Sequence, residues 1–419
     1  MIKLSRVATR LARTTKLRPI TFDERRFVHD GISASKANPV ATQMINYAIS
    51  HARSQKSDDS YGQGLLVLEQ CLSTQPSPES DNSRGMVLMA MSTLLSDRGN
   101  YDEAIEKLQE VLNLSFSSIG VRVAAMEALV GLSLELGQDD TSSVLADKCL
   151  EILAKNEPEL CGDGAEVVHA RAKAVKGLVE LVQGNMESAE SFFQVPEDNK
   201  GLIGGFALSY GEFLHATQKF SLAKELYQKI IQQLSENKDF SDLVSLSACN
   251  MSSEEVLLAA TCALGQLEAH FGNFGEAEET LTRALTKAEE HFGSHHPKVG
   301  VILTCIALMF QRKAIQEHSS SLVIQEGLYR RALELLKAPP LEAEGAEAKV
   351  ARSDIIALAR GGYAEALCVQ QNRKDQGEKM KSWAEATWRN RRLSLAEALE
   401  LTEPSSKTLV IDARISRAL

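Results

Sequence analysis

The sequence predicts an all-α chain, a right-handed α-solenoid of stacked helix–turn–helix repeats. Three observations predict it. From about Asn38 onward, runs rich in Ala, Leu, Glu, Lys and Gln are separated by short polar breaks, and strand-like alternation is scarce. One hairpin pattern, usually with glycine at its turn, returns about six times. No run of about 18 uninterrupted apolar residues occurs, so no membrane-crossing helix is predicted. The composition agrees: 44% hydrophobic and 24% charged residues suit a packed globular chain, and 26 Gly with 10 Pro in 419 residues exclude collagen-like and Pro/Gly-rich classes.

The first element is a leader. Lys3, Arg6, Arg10, Arg13, Lys16 and Arg18 are all basic, and the first acid is Asp23. The rest of the chain then holds 40 basic against 56 acidic residues, a balance of −16. Leu4, Val7, Ala8 and Leu11 fall on one helical face, with Lys3, Arg6, Arg10 and Arg13 beside them. An Arg-rich, hydroxyl-containing, acid-free amphipathic start is the pattern of an organelle transit peptide, mitochondrial before chloroplast. A negative-inside membrane draws such a helix inward. Arg25-Arg26-Phe27-Val28 resembles a mitochondrial processing site, so residues 1–27 are predicted to be a cleaved leader targeted through Arg6, Arg10 and Arg13.

The hairpins follow in order. Ala41 to Pro76 gives a first unit through Ala52, Tyr61, Gly64, Leu68 and Cys71. Met86 to Leu114 is the clearest. Leu88, Met91 with small Ser92, and Leu95 mark its first helix, and Gly99 suits a left-handed cap. Asn100 with Glu103 predicts a capping box. Ala104 permits close approach, and Leu108, Val111 and Leu112 continue the buried face. Val121 to Leu153 repeats this loosely through Leu129, Gly137, Ser142 and Cys149. His169 to Pro196 has Gly177, the turn Gly184-Asn185, Ala189 and Phe193, with Pro196 ending the helix. Gly205 to Leu234 has Ala207, Tyr210, Gly211, Leu214, then Ala223, Tyr227 and Ile230. After an insertion at Asp239 to Ser253, Leu258 to Glu290 has Leu264, Gly265, the turn Gly272-Asn273-Phe274, Ala277, Leu281 and Ala284. A further unit carries Ile306, Ala307, Phe310, Tyr329 and Ala332, interrupted by an insertion at Glu317 to Leu322.

These units resemble the tetratricopeptide repeat. The turn Phe292-Gly293-Ser294-His295-His296-Pro297 is similar to that of kinesin-light-chain-type repeats. The resemblance spans residues 40 to 335, and more weakly to 390, and implies an array over 38–338. Its structural signature is Leu88, Ser92, Gly99, Ala104, Leu108, Gly177, Gly184, Ala189, Gly211, Ala223, Tyr227, Gly265, Gly272, Ala277, Leu281, Ala307 and Ala332. After Pro339-Pro340, residues 339–401 are predicted to hold a degenerate repeat, with Ala366 its small residue, and a capping helix pair. Residues 402–419 are predicted to be a flexible tail.

Chemistry-bearing patterns are sparse. There is no P-loop, nucleophile elbow or zinc-protease motif, and nothing selects a Ser, Thr or Cys nucleophile. Seven cysteines at long spacings, without Cys-x-x-Cys, predict core thiols. His291, His295 and His296 sit at a helix end and turn, without a companion ligand at motif spacing. Gly201 to Gly205 lacks the preceding strand of a dinucleotide site. Lys379 to Arg392, with Trp383 and Trp388, reads as a terminal helix with its tryptophans packed down. The Lys/Asn clamp by which some tetratricopeptide proteins hold chaperone tails is missing, since Met89, Thr93 and Ala128 stand at its places.

No catalytic, cofactor or metal residue is therefore expected. The resemblance implies a non-enzymatic scaffold whose concave groove binds a peptide or helix of a protein partner, here expected inside mitochondria, in the assembly or maintenance of a protein complex. The alternatives are an organellar RNA-binding repeat protein, disfavoured by the acidic body, and a cytosolic kinesin-light-chain-like adaptor, disfavoured by the leader.

Overall fold

The computed structural model describes residues 38–75, 80–156, 163–194, 204–236, 246–341, 350–400 and 407–419. The leader with Arg6, Arg10 and Arg13, together with Cys161, Pro196 and Gly201, lies outside them.

Among the described residues the chain forms eight helical hairpins: α1 (Pro39–Gln55) with α2 (Asp58–Ser73), α3 (Asp81–Asp97) with α4 (Tyr101–Leu112), α5 (Ile119–Glu135) with α6 (Asp139–Lys155), and α7 (Asp163–Val182) with α8 (Met186–Phe192). Then come α9 (Gly204–Ala216) with α10 (Phe220–Glu236), α11 (Ser253–His270) with α12 (Phe274–Phe292), α13 (Pro297–Gln316) with α14 (Leu322–Leu335), and α15 (Ser353–Cys368) with α16 (Lys374–Thr387). Each hairpin packs on the next, as in a tetratricopeptide-like solenoid. The eighth hairpin is complete. The expected capping pair is divided: α16 folds back on α15, and only α17 (Leu395–Leu399) closes the end, Leu399 packing over Gly361. Two short strands, β1 (Ile411–Asp412) and β2 (Arg417–Ala418), pair antiparallel in the last residues.

The repeat chemistry is local. Gly99, Gly137, Gly184 and Gly272 all have positive φ, and the N–H of the next residue reaches back to the carbonyl five positions earlier, as Asn100 does to Leu95 at 2.9 Å. Gln218 takes the glycine's place at φ 63°, with the same return bond from Lys219 to Leu214 at 2.8 Å. The capping box expected at Asn100 does not form: its side chain makes no cap bond. At φ −82° and ψ 65° the residue is outside the extended region that an N-cap needs, because the return bond sets its backbone. In the equivalent turns Asn185 and Asn273 donate backward to Glu180 and Glu268, each at 2.8 Å.

Within the hairpins, small residues face large ones sixteen positions on. A Cβ on Gly177 would stand 2.6 Å from Phe193, one on Gly211 2.8 Å from Tyr227, and one on Gly265 2.6 Å from Leu281. Ser92 stands at the same spacing before Leu108, and its hydroxyl donates to the Ala104 carbonyl at 2.8 Å. Leu88, Ala104, Leu108, Ala189, Ala223, Tyr227, Ala277, Leu281, Ala307 and Ala332 are all buried.

The two helices of a hairpin bury different amounts of their surface. α4 and α10 each bury a narrow stripe, Ala104, Leu108 and Val111 in one, Ala223, Tyr227 and Ile230 in the other. α3, α5, α11 and α15 are buried on nearly every face. Their inward faces must therefore be covered, and the cover comes from the chain itself.

Candidate functional site

Two segments fill the concave side. The first is the end of the insertion between α10 and α11, residues 246–252. Its Cys249 N–H donates to Thr93 Oγ1 at 3.0 Å, and Asn250 Nδ2 donates to Glu135 Oε2 at 3.1 Å. Gly131 on α5 makes the space, since a Cβ there would meet Met251 Cε at 2.6 Å. Arg171, paired with Glu127, also donates to the Leu246 carbonyl at 2.6 Å.

The second segment is 407–419, the described part of the 402–419 stretch expected from the sequence as a flexible tail. The structure corrects this: every residue from Val410 to Leu419 is buried. The segment is a tight hairpin. Val410 and Leu419 exchange backbone bonds, Ile411 pairs with Ala418 and Asp412 with Arg417. The Asp412 carboxylate closes the turn by accepting from the Arg414 N–H at 2.8 Å.

Five inner helices, α5, α9, α11, α13 and α15, and α6 hold the hairpin. Gln266 on α11 grips its backbone at both amide atoms, accepting from Ile411 N at 2.8 Å and donating to Ile411 O at 2.9 Å. Lys298 on α13 donates to the carbonyls of Ala413, at 3.0 Å, and Arg414. The Arg414 guanidinium meets Asp412 at 2.9 Å, Ser209 at 3.0 Å and Glu212 of α9 at 3.3 Å. Arg417 turns to the opposite wall, meeting Asp354 of α15 at 2.6 Å, Asp139 of α6 at 2.6 Å and the Leu134 carbonyl at 2.9 Å. Arg392, just before α17, donates to the carbonyls of Thr408 and Leu419.

A buried charge is tolerated only when paired, and these pairs set the electrostatics. Burial works against the Arg414 charge, but Asp412 and Glu212 outweigh it and raise its pKa above the usual arginine value. Burial and the adjacent Asp412 push Glu212 well up, favouring its neutral form. Beside the hairpin, Lys298 lies 3.6 Å from both Glu135 and Glu255, and Arg352 pairs with Glu135 at 2.8 Å. Burial alone would raise Glu135, yet Lys298 and Arg352 bring it down to about 2. Glu255, less well compensated, is pushed up to about 8 by burial. The groove wall thus combines carboxylates that accept from arginine with side chains that read backbone. That chemistry holds the chain's own residues 411–417.

His296 caps α13 by accepting from Lys298 N–H at 3.2 Å, and stacks on Phe292. Trp383 lies under the Arg360 guanidinium at 3.7 Å, and Trp388 donates to the Leu393 carbonyl at 2.7 Å. Cys71, Cys149, Cys249, Cys262 and Cys305 are buried, and no group of three or more metal-type side chains gathers among the described residues. Sequence reasoning missed Glu212, Gln266, Lys298, Asp354, Arg414 and Arg417. The available signal was isolated charges within apolar helices, such as Glu212 and Glu255.

Neither a known protein family nor a curated protein matches the chain. Among solved structures it is similar to a tetratricopeptide repeat protein from Parabacteroides merdae, at 12% identity and a TM-score of 0.37, over 76% of this chain and 99% of that one. The assignment of a tetratricopeptide-like fold therefore stands on this chain's own hairpins, turns and small-to-large contacts.

Proposed function

We propose that the chain is a non-enzymatic protein–protein interaction scaffold of mitochondria, which grips a short segment of a protein partner in its concave groove while a complex is assembled or maintained. One observation carries this reading: the groove already holds a short segment, its own residues 407–419, through backbone bonds and paired charges. The leader residues Arg6, Arg10 and Arg13 support the mitochondrial address. The balance of −16 outside the leader counts against RNA as the ligand.

The test is proximity labelling from an enzyme inserted at 317–320, an exposed turn between α13 and α14 that is clear of the buried last residues. Labelled subunits of one mitochondrial complex are the expected result. A set dominated by ribonucleoproteins or cytosolic motor components would overturn the reading.

A further inference from the structure

The groove has specific demands, and they define a ligand. Its carboxylates form two sockets on opposite walls, Glu212 on one and Asp354 with Asp139 on the other. Each takes one arginine of the hairpin, and the two arginines are Arg414 and Arg417, three positions apart. Between the sockets, Gln266 and Lys298 bind the hairpin through its main-chain atoms, so they would hold any sequence that adopts this turn. The occupant is self-contained, because its strand bonds and its Asp412 turn bonds are internal to residues 410–419. The site also has unused capacity. Asp354 Oδ1, in the second socket, is buried with no hydrogen-bond partner. A resident with a further donor beside its second arginine would satisfy the acceptor that this hairpin leaves open.

We propose that the concave face is a recognition site for a basic β-turn of the form Asp-x-Arg-x-x-Arg, and that residues 407–419 are its tethered resident, which a partner turn of the same chemistry displaces. This rests on the scaffold reading above and specifies the partner: a protein segment presenting two arginines, three positions apart, at the tip of a tight turn. The resident keeps the groove closed to weaker or acidic segments.

The test uses the full-length chain carrying Arg414→Ala and Arg417→Ala together, which empties both sockets. The probes are a fluorescent peptide of residues 407–419 and the same peptide with alanine at both arginines. The folded variant should bind the native peptide saturably and at least about tenfold more tightly than the alanine peptide. The unsubstituted chain, its site filled, should bind the native peptide at least about tenfold more weakly than the variant does. A folded variant that ignores the native peptide, or takes both peptides equally, overturns the proposal. If the variant does not fold, hydrogen exchange of the unsubstituted chain decides. Exchange of residues 409–419 at lower denaturant than α11 and α13 supports a displaceable resident. Exchange only together with those helices makes the hairpin a fixed part of the fold and refutes displacement. Labelling from 317–320 reads partner capture independently, so failure here and failure of the scaffold reading are distinguishable.

Discussion

Arg417→Met is the sharpest perturbation of the packed interior. The guanidinium joins α6 to α15 through Asp139 and Asp354, and accounts for one contact to the end of α5 at the Leu134 carbonyl. Methionine keeps much of the volume but removes every donor. Asp354 is 0% exposed and already has one oxygen unpartnered, so the substitution leaves a buried carboxylate with its charge uncompensated. Removing one member of a buried pair costs about 3–5 kcal/mol. Asp139, with a side chain 22% exposed, rehydrates and adds little. Adding Asp354→Asn should recover a substantial part of the loss, because the stranded charge is then gone. As a control, Arg331→Ala breaks a surface pair with Glu334 and should cost under about 0.5 kcal/mol. Urea unfolding followed by far-UV circular dichroism reads all four proteins. A repeat array holds mainly nearest-neighbour contacts, so loss of this long-range link should also broaden or split the transition. A cost below about 1 kcal/mol with an unchanged single transition would refute the reasoning.

Three further outcomes follow from the same chemistry. Ala104→Arg places a cation at the fully buried α3–α4 contact, where the Ser92 hydroxyl already uses the Ala104 carbonyl, so hydrogen exchange should show both helices losing protection; wild-type protection there would disprove the repeat register. Glu255, held up to about 8 by burial, takes up a proton on folding, so the stability tied to its neutral form is present below about pH 4.5 and is lost as pH rises through 8. Glu255→Gln should therefore gain on the unsubstituted chain between pH 5 and pH 8 in urea titrations, by about 1.4 kcal/mol per pH unit at most, and parallel pH profiles would contradict it. Replacing Arg6, Arg10 and Arg13 with Glu should abolish uptake by isolated mitochondria, and undiminished import would remove the leader from the account.

The repeat was legible because its determinants are local. Gly99, Gly184 and Gly272 mark turns by backbone conformation, and Gly177, Gly211 and Gly265 mark contacts sixteen residues away. Spacing alone shows both. The filled groove was hidden because its determinants are distant. Arg414 and Arg417 read as exposed side chains, and their partners Glu212, Asp139 and Asp354 come from three different repeats. One clue was present in the pattern. α5 reads as apolar around most of its circumference, broken by Arg122, Glu127 and Glu135, and a helix of that kind is buried on nearly all sides, not lining an open groove. The Asn100 capping box failed for a local reason, since the turn's return bond fixes the backbone before the side chain can cap.

The central claim is that the solenoid's inner face is packed with its own last residues. Amide hydrogen exchange of the full-length chain in native buffer tests it directly, resolved to residues 409–419. The account predicts protection of the Val410, Ile411 and Leu419 amides far above that of an unstructured peptide, and its loss when Gln266→Ala removes the partner of Ile411. Exchange of this segment at the rate of a free chain, with the helices α9, α11 and α13 still protected, would contradict it.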